Sequence, residues 1–133
     1  IGQCLEGSVI NLGNLSPTRD FTYVADTVDG FICAAQSDEA VGKVVNAGSG
    51  QDISVGDLAR KIAGLMNREI RIQCEQERIR PKEGEVDRLC ASNDLAKEVL
   101  GWEPKHTLDE GLLLTIEWIQ EHREAYRPED YVI

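Results

Sequence analysis

Short apolar runs alternate with helix-length amphipathic stripes along this chain, and that alternation limits the fold more than any other feature. Ser8-Val9-Ile10-Asn11-Leu12 reads as a short strand, and Ile70 to Cys74 alternates apolar and polar residues as a half-buried strand does. Gly42-Lys43-Val44-Val45-Asn46 reads as a further strand, and Val86 to Cys90 as a strand-like segment. Between them lie helices. Gln3 to Glu6 is read as the end of one, closed by Gly7, and Val24 to Ala35 as a second, with Val24, Val28, Phe31, Ile32 and Ala35 on one stripe. Ser54 opens a third, with a core stripe of Val55, Leu58, Ile62, Leu65 and Met66, and Ser92 caps a short one that Gly101 ends after Leu100. Thr107 opens the last, through about Glu121, with Leu108, Leu112, Leu113, Ile116 and Ile119 on its buried face and Trp118 near one edge. Asp57 and Glu110 each follow a start residue by three, the spacing of a capping box. The expected fold class is α/β, short strands interleaved with amphipathic helices.

The chain has 133 residues, enough for one domain or part of one. It begins at Ile1 with no initiator Met and reads as though cut from something longer. Its formal net charge of −10 repels phosphate backbones and anionic lipid, so neither nucleic acid nor membrane is expected as a partner. Cys4, Cys33, Cys74 and Cys90 show no CxxC or CxxH spacing. Cys33 on an apolar helix face and Cys74 on an apolar strand phase read as buried free thiols, and a reducing cytoplasmic setting is expected. No metal-ligand spacing is present.

Within this acidic chain, two arginines occupy well-defined backbone. Arg19 lies at the mouth of a loop just before the Val24 helix, in Arg19-Asp20-Phe21-Thr22-Tyr23-Val24-Ala25-Asp26. Arg80 lies in Arg78-Ile79-Arg80-Pro81, which Pro81 holds extended, so alternation puts Arg78 and Arg80 on one side. Guanidinium suits bidentate phosphate contacts, so each can hold an anion such as a diphosphate; each can equally form a structural ion pair. Glu85 can accept hydrogen bonds from sugar hydroxyls. Asp20 can pair with a backbone amide or cap the coming helix, and the helix dipole alone accounts for Asp26. Ala47-Gly48-Ser49-Gly50 lacks the dinucleotide glycine pattern and is read as a tight turn, not a phosphate cradle. His106 precedes a helix cap and His122 lies near a helix end, and neither belongs to a recognisable base–nucleophile set. The residues indicate no catalytic centre.

Taken in order, Gly13-Asn14-Leu15-Ser16-Pro17-Thr18-Arg19-Asp20-Phe21-Thr22-Tyr23-Val24, Val45-Asn46-Ala47-Gly48-Ser49-Gly50, Ile53-Ser54-Val55-Gly56-Asp57-Leu58-Ala59, Arg78-Ile79-Arg80-Pro81, Leu100-Gly101-Trp102-Glu103-Pro104 and Thr107-Leu108-Asp109-Glu110-Gly111-Leu112 carry a resemblance across the chain. It resembles the C-terminal, substrate-binding half of the extended short-chain dehydrogenase/reductase superfamily. Within that superfamily it resembles the NAD-dependent nucleotide-sugar epimerases and dehydratases, and is most similar to sugar 4,6-dehydratases of the GDP-mannose and legionaminate-pathway type. The resemblance implies that Arg19 and Arg80 hold the diphosphate of a nucleotide sugar and that Glu85 lies where ribose hydroxyls bind. Gly84 departs from the Ser common in the nearest relatives. It also implies a C-terminal fragment of a Rossmann-type fold, a single substrate-binding region in which residues 24–46 normally complete the cofactor-binding sheet. The family's NAD loop and Tyr-x-x-x-Lys pair precede the region seen here, and no Tyr in this chain has Lys four residues later. NAD is therefore expected on a missing N-terminal half, and this chain alone is expected to be inactive. Without that sheet Val44 and Val45 would form an open strand edge, so a homodimer or self-associated fragment is expected.

Overall fold

The computed structural model describes residues 1–78 and 86–125, and they form a mixed α/β arrangement of two compact units. Of the described residues, the first comprises 1–17, 54–78, 86–87 and 112–125, and the second 18–53 and 88–111.

In the first unit, α1 (Gly2–Glu6) leads into β1 (Val9–Leu12), which pairs in parallel with β4 (Arg71–Cys74). Ile10 stands opposite Ile72 and Leu12 opposite Cys74. The Gln3 side chain clamps Asn11 by accepting from its amide at 2.6 Å and donating to its carbonyl at 3.2 Å. Helix α3 (Val55–Leu65) starts where the sequence places it: Ser54 Oγ accepts from the Asp57 amide at 3.0 Å. The amides of Val55 and Gly56 donate to the carbonyls of Pro17 and Leu15, docking this helix start onto the loop that precedes Thr18. Cys4, Ile10, Ala63, Ile116 and Ile119 are the buried apolar residues here, the last two on α5 (Leu108–Glu121). Leu113, expected on the buried face of α5, is exposed.

In the second unit, β2 (Thr18–Asp20) pairs with β3 (Asp52–Ser54), a small sheet with no periodic signature because each strand is three residues long. The expected strand at Val86 to Cys90 is reduced to a parallel bridge between Arg88 and Thr18. Helix α2 (Val24–Gln36) has the expected extent but turns the other way. Its apolar stripe is exposed, with Phe31 at 74%, while Asp26 and Gly30 on the opposite side are buried. Gly30 lies against the indole of Trp102, which is 1% exposed and donates through Nε1 to the Asp26 carbonyl at 3.1 Å. Helix α4 (Asp94–Leu100) contributes buried Ala96 and Val99 and ends at Gly101, whose φ of 62° is left-handed. Thr107 and Glu110 cap the first turn of α5 reciprocally, the Glu110 carboxylate accepting from the Thr107 amide at 2.8 Å.

The strand expected at Lys43 to Asn46 does not form. A strand needs a neighbouring ladder, none of the described residues supplies one, and Val44 stands 89% exposed. The cysteines also differ from expectation. All four are free thiols, but Cys33 is half-buried and Cys74 is exposed, donating to the Gly13 carbonyl. No helix among the described residues is long and apolar enough to cross a membrane.

Candidate nucleotide-sugar site

Arg19 sits on β2 rather than in a loop, the only basic side chain between Thr18 and Asp26. Its Nη1 donates to the Thr18 carbonyl at 2.8 Å, an oxygen that also accepts from the Leu89 amide. The strand it rides on is held by its neighbour. Asp20 accepts from the amides of Ser49 at 2.7 Å, Gly50 at 2.9 Å and Ala91 at 3.1 Å, and from the Ser49 hydroxyl at 2.6 Å. Burial pushes the Asp20 pKa up, but these four donors outweigh it and hold the carboxyl below its ordinary value.

The Gly48–Gly50 turn thus spends its outward amides on an internal carboxylate, and Asn93 takes the Gly48 amide and carbonyl. That agrees with its reading as a turn and explains Gly48. A Cβ there would lie 2.5 Å from the Ala91 Cβ and 2.8 Å from Asp20 Oδ2. Gly48→Ala is expected to cost about 2 kcal/mol, as overpacking does, read as a lower urea midpoint at unchanged slope.

Arg88 bridges Thr18, the residue before Arg19, but its guanidinium is engaged. Nε and Nη2 meet the two oxygens of Asp52 at 3.0 and 2.8 Å. The Arg88 hydrogen bond holds the Asp52 carboxyl well below the usual carboxylate range. Arg78 departs from the extended backbone expected of it. It closes a 3-10 turn, Gln76–Arg78, and pairs with Glu75. The expected alternation of Arg78 with Arg80 therefore does not begin at Arg78. Arg80 and Glu85 themselves lie outside the described residues.

Beyond β2 the segment is fixed a second time. Asp26, 2% exposed, accepts from the His106 amide at 3.1 Å and from His106 Nδ1 at 2.9 Å. Burial raises its pKa, and the hydrogen bonds from the His106 ring and from the His106 and Lys105 backbones more than reverse that. The Tyr23 ring packs against His106 with centroids 4.8 Å apart. Lys105 pairs with Asp29 at 2.9 Å. Asp26 is thus a structural anchor, more than the helix-dipole role read from sequence. Its partner lies 80 residues away, and no local pattern links the two. Among the described residues, no group of three or more His, Cys, Asp or Glu side chains is placed to hold a metal ion. The described residues thus place the Arg19 guanidinium on a short strand whose last residue, Asp20, is spent on internal donors.

A family model described as GDP-mannose 4,6 dehydratase matches residues 1–115. A UDP-glucose 4-epimerase of Mycolicibacterium smegmatis is 35% identical over 108 residues, covering 81% of this chain and 33% of that protein. Among solved structures, a UDP-glucose 4-epimerase of Thermotoga maritima with UDP-glucose superposes with a TM-score of 0.77 and 29% identity, covering 92% of this chain and 38% of the other. MoeE5 in complex with UDP-glucuronic acid and NAD matches with the same TM-score and identity, covering 89% and 38%. The chain spans about a third of the length of the curated relatives it matches.

Proposed function

Because this chain belongs to the extended short-chain dehydrogenase/reductase family of nucleotide-sugar epimerases and dehydratases, we propose that it is the part of such an enzyme that grips the nucleotide diphosphate of the sugar substrate. The observation that carries this reading is Arg19, a cation on a short strand whose flanking carboxylates are both spent on internal anchoring. Arg80 is the second diphosphate ligand and Glu85 receives ribose hydroxyls. The whole enzyme is an NAD-dependent 4,6-dehydratase or epimerase. NAD, present in related structures, binds the polypeptide that carries the glycine-rich loop and the Tyr-x-x-x-Lys pair, which supplies hydride and proton transfer. This chain binds and orients substrate and is inactive by itself.

The exposed α2 stripe supports the division of labour. Val24, Val28, Phe31 and Ile32 form an apolar helix face, and the nearby chain at Val44 has no ladder partner among the described residues. Residues 24–46 complete the cofactor-binding sheet of the enzyme, whose strand edge and apolar face would cover both. In isolation the same surface drives self-association. It also favours a second reading, a non-catalytic binding or assembly module derived from this family. The reading frame upstream of Ile1 separates the two: a glycine-rich loop followed by Tyr-x-x-x-Lys supports the enzyme, and its absence supports the module.

Binding is tested by titrating the chain with GDP-, UDP- and dTDP-sugars. Arg19→Ala and Arg80→Ala should each weaken the preferred ligand by about tenfold or more, the scale of a lost charge-assisted hydrogen bond. Unchanged affinity in both variants would remove the diphosphate assignment.

A further inference from the structure

The parallel pair β1–β4 has two outer edges, and among the described residues only one of them is closed. The Arg71 and Glu75 amides donate to the Ser8 and Leu12 carbonyls. In the alternating pattern of a parallel ladder, Arg71, Gln73 and Glu75 therefore turn their backbone groups toward β1, and Ile72 and Cys74 turn theirs away. On β1 the outward residue is Asn11. Its amide and carbonyl are both taken by the Gln3 side chain, which stands where the peptide of a neighbouring strand would. No described residue does the same for β4. Arg71, Gln73 and Cys74 are exposed and Ile72 is half-buried, so the edge is open to pairing with another strand. An exposed arginine on so short an edge deters most partners. It suits one, a second copy of the same strand. Antiparallel pairing about a two-fold axis through Gln73 sets Ile72 opposite Cys74 of the second copy, so that their outward amides and carbonyls exchange hydrogen bonds. The same register sets Arg71 opposite Glu75 of the second copy, an opposite-charge pair on each side of the axis. Glu75 pairs with Arg78 in its own chain and still leaves 33% of its side chain exposed. A register centred on Ile72 instead would set Arg71 opposite Gln73 and lose both charge pairs.

We propose that β4 is a contact between two copies of this chain, joined antiparallel through Ile72 and Cys74 in the register that pairs Arg71 with Glu75. The product is a continuous sheet ordered β1–β4–β4–β1. Gln3 closes both of its outer edges, so this sheet does not grow further. The contact lies in the first unit, whereas the α2 stripe lies in the second, and it does not rest on the diphosphate reading. The net charge of −10 opposes the approach of two copies. The contact is therefore weakest at low salt and is measured near physiological ionic strength, where charges more than about 8 Å apart are largely screened.

The test uses the full 133-residue chain labelled with 15N, with amide exchange followed by NMR from about 0.05 to about 2 mM protein. The Ile72 and Cys74 amides should exchange about threefold more slowly at the higher concentration. The Glu75 amide, which donates to Leu12 within the chain, should be equally slow in every sample and reports that the sheet is intact. Arg71→Glu and Glu75→Arg should each abolish the concentration dependence when alone, since each sets like charges opposite one another. Mixed together, the two variants should restore it, because every charge pair across the axis is again opposite. Exchange at Ile72 and Cys74 that does not change with concentration overturns the inference. If those amides are fast throughout, the edge pairs with nothing; if they are slow throughout, the chain's own residues already cover it. Concentration-dependent protection that survives Arg71→Glu unchanged overturns it as well, by removing the charge register. Should Glu75→Arg not fold, Arg71→Glu alone decides between these results.

Discussion

Trp102→Ala should lower the unfolding free energy by about 4 kcal/mol, the usual range for removing a buried aromatic. Trp102 is 1% exposed, the largest of the fully buried side chains, and its removal also orphans the Asp26 carbonyl that accepts from its Nε1. The cavity cannot close easily, because the Gly30 face that meets the indole has no side chain to move into the space. Urea denaturation followed by far-UV circular dichroism measures the loss. Trp118→Ala is the internal control. Trp118 is 48% exposed and stacks on His122, so its truncation should shift stability by less than about 1 kcal/mol. Equal losses in the two variants would mean that the core of the second unit lies elsewhere.

Asp26→Ala should cost about 3 kcal/mol, because it leaves the His106 amide and ring donor without their buried acceptor. Its effect depends on pH with a definite sign. The Asp26 pKa is depressed on folding, so the folded protein holds this proton less readily than the unfolded chain. The stabilisation is complete above the unfolded carboxyl pKa of about 3.9 and fades as pH falls through the folded value. Asp20, depressed in the same direction, adds to the same acid limb. Stability curves of wild type and Asp26→Ala should therefore run apart near neutral pH and converge in acid. Curves that stay parallel would show that the carboxylate is not the source of the stabilisation.

The features legible in the sequence were those whose physics is local. Ser54 with Asp57 and Thr107 with Glu110 start their helices as spaced, and Gly101 ends α4 in the left-handed conformation that glycine tolerates. Helix α2 was legible in extent but not in orientation. A stripe of Val24, Val28, Phe31 and Ile32 says that some surface wants covering, and the buried side here is set by Trp102 and His106 instead. Val44 and Val45 carry strand propensity, yet propensity without a paired neighbour forms no strand. The two carboxylate anchors were illegible for a different reason. Asp20 reaches Ala91 across 71 residues and Asp26 reaches His106 across 80, and no periodicity encodes such pairs. Arg19 could be singled out because charge context and family resemblance both marked it. That its strand is pinned by Asp20 required the fold.

The most direct test of the diphosphate role compares nucleotide sugars with the nucleosides and free sugars that lack the diphosphate Arg19 is proposed to hold. The Arg19 and Arg80 Nε–H signals of the 15N-labelled chain would be followed on adding UDP-glucose or GDP-mannose, and separately uridine, guanosine, glucose or mannose. Both arginine signals should respond to a diphosphate-bearing ligand and to neither nucleoside nor free sugar. An Arg19 signal that ignores the diphosphates, or that moves equally with the nucleosides, would contradict the account.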